Sequence, residues 1–280
     1  MIEKTGFRKY LPIVLKVLFV VLAMLIMYIP VFIIMYQSFN SDANAMQALH
    51  FGKFTFANYA EIFTNKRLYN NIIDSLLVSF WATAIATVFG LFASIGINAL
   101  TGKAKKAMNF LNQIPMLQSE IVTGISIMII FGLLIPIIPK IFGFPTMLIA
   151  HVFFTIPYVI MMVLPKLAQT DESLFEAAQD LGCSKTKALF KVIIPSLQTA
   201  IMTGALLAFT LSIDDFVISY FTQGNGFYNF SNYVYNSYTK KNFSAGAYAY
   251  NSLLTLVTLG IVLFISVKTN KKGKKKVAVK

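Results

Sequence analysis

Six stretches of this sequence each hold roughly 20 or more mainly apolar residues, the length an α-helix needs to cross the hydrocarbon core of a bilayer. They run from about Leu11 to Tyr36, Ile72 to Ala99, Ile114 to Ile138, Phe144 to Leu164, Ile193 to Phe221 and Tyr248 to Val267. A chain in lipid must satisfy its backbone hydrogen bonds internally, and an α-helix does so within each segment. The expected fold is therefore all-α and polytopic, one transmembrane domain of about six helices over residues 1–280. Composition agrees: 57% of residues are hydrophobic and only 12% charged, where a soluble domain has about a quarter charged.

The placement of charge sets the expected orientation. With the N-terminus inside, the inner segments carry 18 Lys and Arg and the outer segments 6. That bias puts both termini in the cytoplasm. The net charge of +13 does not point to nucleic acid, because the basic residues lie between and after the apolar stretches. The tail Lys271, Lys272, Lys274, Lys275, Lys276, Lys280 has no interleaved aromatics and reads as a solvated segment facing anionic lipid. The basic start (Lys4, Arg8, Lys9) and Ala43-Asn44-Ala45 resemble parts of a signal peptide. The first apolar stretch is too long for a signal core, however, and a polar segment separates it from that triplet, so it reads as a retained helix. Cys183 is the only cysteine, so no intrachain disulfide is possible. His50 and His151 are too few and too far apart for a metal site, and no metal is expected. His151, in an apolar stretch, reads as a packed or hydrogen-bonded helix residue.

The inner loop between the fourth and fifth stretches is patterned. Leu174, Phe175, Ala178 and Leu181 fall on one face of a helix. Glu172, Glu176 and Gln179 fall on another, and acids at the start suit the helix dipole. Gly182 is a natural stop, and Ser184 can cap a second helix from Lys185 to Lys191 that leads to Pro195. Glu176-Ala177-Ala178, then three residues, Gly182, nine residues and Val192-Ile193-Ile194-Pro195 resembles the EAA loop of importer-type ABC permeases. Val192 and Ile194 replace that family's Ile and Leu. The resemblance implies a coupling loop over 171–191 that docks on a separate ATPase subunit through Glu176, Ala177, Ala178 and Gly182. Small Ala177 and Ala178 would permit close approach, and Glu176 would offer a charge. The sequence holds no G-x-x-x-x-G-K-S/T phosphate loop. The chain is thus expected to be a transport subunit rather than an enzyme, binding no cofactor itself, with ATP used by its partner.

Ionisable residues within spans are costly and are functional candidates. Asp214 and Asp215 lie in the fifth stretch, Glu120 in the third, and Asp74 flanks the outer start of the second. Adjacent buried carboxylates repel, and a cationic ligand relieves that. On straight helices rising 1.5 Å per residue, Asp214 would sit roughly 30 Å along its span near the outer mouth, and Glu120 roughly 10 Å from the inner side. These four acids are the expected substrate pathway.

Phe54-Thr55-Phe56-Ala57-Asn58-Tyr59, Ser119-Glu120-Ile121-Val122 and Phe209 to Phe216 are similar to spermidine/putrescine importer permeases. The match is strongest to the second permease subunit of those systems. That family's Ser-Pro-Asp/Glu reads Gln118-Ser119-Glu120 here, without the proline. The resemblance implies a type I ABC importer permease in a bacterial inner membrane. It also implies a second homologous permease, an ATPase dimer and an extracytoplasmic polyamine-binding protein as partners. Thiamine, iron or an organic anion are the alternative cargoes, and an anion would sit badly beside Asp214 and Asp215. An aspartyl protease needs aspartates facing each other from different helices, whereas neighbours on one helix point about 100° apart. A passive cation channel would not need the EAA loop.

Overall fold

The computed structural model describes residues 5–43, 50–171, 173–224, 226–240 and 243–277, with backbone alone for 5–12 and 264–277. Lys4, Asn44, Ala45, Glu172, Lys241 and Lys280 lie outside the described residues, as do the side chains of the other tail lysines. Among the described residues the chain is all-α. Its helices are α1 (Thr5–Ser38), α2 (Ala57–Thr64), α3 (Lys66–Ala99), α4 (Gly102–Leu117), α5 (Glu120–Gly132), α6 (Phe144–Ala168), α7 (Ser173–Asp180) and α8 (Lys185–Ala188). A π-helical turn (Leu189–Ile193) follows, and then α9 (Ile194–Ser196), α10 (Gln198–Ile213), α11 (Val217–Thr222), α12 (Phe230–Thr239) and α13 (Gly246–Val277). Four helices are long and apolar enough to cross a bilayer, within α1, α3, α6 and α13, or six if two bent pairs each count as one span.

Those bent pairs overlap the third and fifth expected spans, but they begin earlier, at Gly102 and Lys185, and neither is a single straight helix. α4 and α5 meet at 99°. Pro115 in the last turn of α4 has no N–H to give the helix ladder, and Gln118 and Ser119 are extended, with ψ of 145° and 135°. The break thus forms without the missing proline. In the fifth span, Lys185–Ser196 and α10 are bent by 69°. Pro195 interrupts the same ladder, and the turn before it widens into the π form. The helix expected over Lys185 to Lys191 is accordingly only four residues of α-helix. Ser184 Oγ accepts from the Lys187 N–H at 3.4 Å. The fifth span breaks again at Asp214–Phe216, between α10 and α11.

The chain packs as two compact units. One lies within residues 1–68 and 237–265. There the buried Asn58 donates to the carbonyls of Ser38 (3.1 Å) and Asn40 (2.8 Å). Asn40 donates in turn to Gln37 Oε1 and the His50 carbonyl, both at 2.7 Å. Glu61 accepts from Ser244 Oγ (2.7 Å) and the Gly246 N–H (2.8 Å), which anchors the start of α13 to α2.

The other unit lies within residues 69–236 and 266–280 and is built around α6. Val159, Val163 and Leu167 of α6 are buried with Ala86 and Leu91 of α3, Ile193, Leu197, and Ala208 of α10. Small residues permit this approach. A Cβ on Gly90 would stand 2.7 Å from Val159 Cγ1, and one on Gly204 3.3 Å from Val159 Cα.

Candidate translocation cavity and coupling loop

The two broken spans and α6 enclose a cavity of about 370 Å³. Pro115, Met116, Gln118 and Glu120 line it from the α4–α5 break, Phe154 and Tyr158 from α6, and Thr210, Asp214, Asp215 and Phe216 from the α10–α11 break. Glu120 and Asp214, expected at different depths, therefore share one cavity. The straight-helix estimate fails because both acids sit at helix breaks rather than along continuous helices. Asp74, half-buried on α3, is not among the lining residues.

The adjacent aspartates have different surroundings. Asp215 is buried. Its Oδ2 accepts from the backbone N–H and the hydroxyl of Ser219, both at 2.7 Å, and its Oδ1 accepts from the Ile218 N–H at 3.2 Å. It thereby caps the first turn of α11. His151 Nε2 lies 3.5 Å from Oδ2. Asp214 is exposed to the cavity, and its carboxylate has no hydrogen-bond partner among the described residues. Its backbone (φ −91°, ψ −4°) lies in the sparsely populated bridge region between helix and extended chain. Glu120, the first residue of α5, is also exposed. Two carboxylates beside the rings of Phe154, Tyr158 and Phe216 make a site that attracts cations, by charge and by ring faces.

The rings and His151 were not singled out for the site from sequence. Phe154 and Tyr158, four residues apart on one face of α6, carried that signal. His151, one turn before Thr155 on the same helix, is buried and bonded to Ser212 and Ser219.

In the inner loop, α7 ends in a Schellman turn. The Cys183 N–H donates to the Ala178 carbonyl (3.0 Å) and the Gly182 N–H to that of Gln179 (2.8 Å), with Gly182 at φ +84°. Asp171 caps the start, accepting from the Ser173 N–H at 2.9 Å. The backbone N–H and side chain of Ser173 hold the Asp171 carboxyl below the usual carboxylate range. The expected apolar face divides. Phe175 packs against the core and Ala178 is buried, whereas Leu174 and Leu181 are exposed, Leu181 by 87%. Ala178 is buried where α7 packs against the π turn and α8 of its own chain. Glu176 and Ala177 face outward with Leu174 and Leu181. Cys183 is free, and among the described residues no group of metal-ligating side chains gathers.

A helical membrane domain with broken spans, a cavity lined at the breaks by carboxylates and aromatic rings, and a structured loop between two spans has the architecture expected of a transport component. Residues 86–273 match the family model described as binding-protein-dependent transport system inner membrane component. The spermidine/putrescine transport system permease protein PotC of Haemophilus influenzae is 34% identical over 207 residues, 74% of this chain and 77% of that one. The putrescine transport system permease protein PotI of Escherichia coli K12 is 30% identical over 215 residues, 75% of each chain. Among solved structures, a bacterial ABC transporter involved in import of the acidic polysaccharide alginate superposes with a TM-score of 0.72 at 14% identity, covering 95% of this chain and 97% of that one; at that identity the likeness is one of fold. The chain belongs to the family of binding-protein-dependent transport system inner membrane components.

Proposed function

We propose that the chain is a permease subunit of an ATP-binding-cassette importer that carries polyamines, spermidine or putrescine, into a bacterial cell. The observation that carries the reading is the shared cavity of Asp214 and Glu120 with three aromatic rings. A polyamine is a flexible chain of ammonium groups and methylenes. Carboxylates attract its charges, and ring faces accept both ammonium groups and methylenes. The names of the PotC and PotI relatives favour the same cargo.

In this reading the chain pairs with a second, homologous permease in the inner membrane, with its termini in the cytoplasm. An extracytoplasmic binding protein delivers the polyamine. Two ATPase subunits below bind and hydrolyse ATP, and this chain needs no cofactor of its own. The exposed Glu176, Ala177, Leu174 and Leu181 form the docking face for an ATPase, with Gly182 setting the reversal behind it. Closure of the ATPases moves the loop, and the loop moves the fifth span, to which it is continuous through the π turn and α9.

Reconstitution of the chain with its partner subunits in vesicles tests the reading. ATP-dependent uptake of labelled spermidine or putrescine is expected, competed by the other polyamine and not by thiamine or an organic anion. A complex that hydrolyses ATP in response to a different solute and takes up neither polyamine would overturn it.

A further inference from the structure

We infer that His151 is a positioning residue that braces the break in the fifth span and thereby holds Asp214 in the cavity. Its Nδ1 lies 2.7 Å from Ser212 Oγ on α10, and its Nε2 lies 2.9 Å from Ser219 Oγ on α11. One buried ring on α6, 1% exposed, thus joins the two arms on either side of the break.

The contacts can be satisfied in full with the Ser212 hydroxyl donating to Nδ1, Nε2–H donating to Ser219 Oγ, and the Ser219 hydroxyl donating to Asp215 Oδ2. The backbone of Asp215 is held as well, since Asn229 Nδ2 donates to its carbonyl at 2.6 Å. With Ser212 fixed before the break, Asp215 within it and Ser219 after it, Ile213 and Asp214 have little freedom left. Ile213 is buried at the end of α10, and Asp214 turns its carboxylate to the cavity without a protein partner among the described residues. A histidine that merely filled space would not need both ring nitrogens bonded to opposite arms of a broken helix. The two adjacent acids therefore divide the work: Asp215 is tied into the brace, and Asp214 is presented to the cargo. The identity of that cargo rests on the polyamine reading above; the positioning role does not.

The test uses the assembled complex, with partner subunits, in vesicles. In a Cys183→Ser background, Asp214→Cys should react readily with a quaternary-ammonium methanethiosulfonate, and adding His151→Ala should slow that reaction about tenfold as the side chain leaves the cavity. An unchanged rate would overturn the positioning role. In uptake, His151→Ala should raise the half-saturating spermidine concentration about tenfold while Asp214 is present, which corresponds to about 1.4 kcal/mol of binding. In an Asp214→Asn background it should cause no further shift. Equal shifts in both backgrounds mean that His151 acts independently of Asp214, and they also overturn the role. If His151→Ala fails to assemble, Ser219→Ala cuts the same link with the loss of one oxygen and is read in the same two assays. An unaltered complex that takes up no polyamine overturns the polyamine reading, while the labelling rate still decides the brace.

Discussion

Asp214 and Asp215 are chemically identical neighbours, and their hydrogen bonds set them apart. Asp215 has three protein donors on its carboxylate, and Asp214 has none among the described residues. Removing their charges should therefore give unequal results. Asp214→Asn should lower polyamine uptake per assembled complex by roughly one to two decades, because a closely held ammonium loses several kcal/mol of attraction even at an effective dielectric near 20, part of it offset by desolvation that is no longer needed. Asp215→Asn keeps a capping oxygen, and Asn caps about as well as Asp, so uptake should fall by only about threefold. Asp215→Ala loses the cap, typically about 1 kcal/mol, and should show itself as lower thermal stability of the complex. Uptake normalised to assembled complex, with a melting curve for each variant, separates the three. Equal losses in both Asn variants would return the pair to a symmetric role. The candidate acids were legible as residue types, since carboxylates in apolar stretches stand out. Their difference was not, because it turns on where the fifth span breaks, which makes Asp215 rather than Asp214 the cap of α11, and on His151 approaching from α6.

At the scale of elements, the breaks carry the chemistry. α4–α5 and α10–α11 are interrupted where Glu120 and Asp214 sit, so that carboxylates at helix ends face a cavity. Pro115 and Pro195 stand beside the bends of 99° and 69°, but the angles themselves could not be read from the sequence. The coupling loop shows the converse. Gly182 at φ +84° occupies a backbone region that costs a side-chain-bearing residue roughly 1–2 kcal/mol, and its role as a stop could be read directly. Gly182→Pro both forbids that φ and removes the N–H bonded to Gln179. The variant should remain inserted and should lose ATP-dependent uptake and retention of the ATPase in a pull-down, and Glu176→Lys should do the same through charge. Normal coupled uptake in both would remove the loop from the mechanism. Between α3 and α6, Gly90→Leu would drive a side chain into the stiff, β-branched Val159. Such overpacking typically costs about 1–3 kcal/mol and should lower the melting temperature without changing which solute is carried.

For the molecule as a whole, the apolar stretches place the chain in a bilayer, and the proposed orientation rests on the excess of Lys and Arg in alternate segments. Replacing Lys271, Lys272, Lys274, Lys275 and Lys276 with Gln should leave the half-saturating polyamine concentration unchanged, since in this topology the tail is cytoplasmic and far from the cargo. It should instead alter membrane insertion or the fraction of chains with a cytoplasmic C-terminus, read with a C-terminal reporter. A changed preference between polyamines would contradict that topology. The exposed apolar side chains of α1, such as Phe19 at 72% and Met27 at 77%, belong to the same scale: a helix that buries so little within its own chain is expected to face lipid or another subunit.

The sequence by itself determined the class of fold, the existence of the spans, the loop with its glycine stop and the acids worth testing. Each of these is written in local order, as a run of apolar residues, a spacing or a charge in the wrong solvent. Tertiary structure alone decided that Glu120 and Asp214 share a cavity, that Phe175 and Ala178 turn inward while Leu174 and Leu181 do not, and that His151 joins two arms of one broken helix. The first and the last depend on contacts between residues some 60 to 95 positions apart, and the second on how α7 packs against the π turn and α8; hydropathy along the chain encodes none of them.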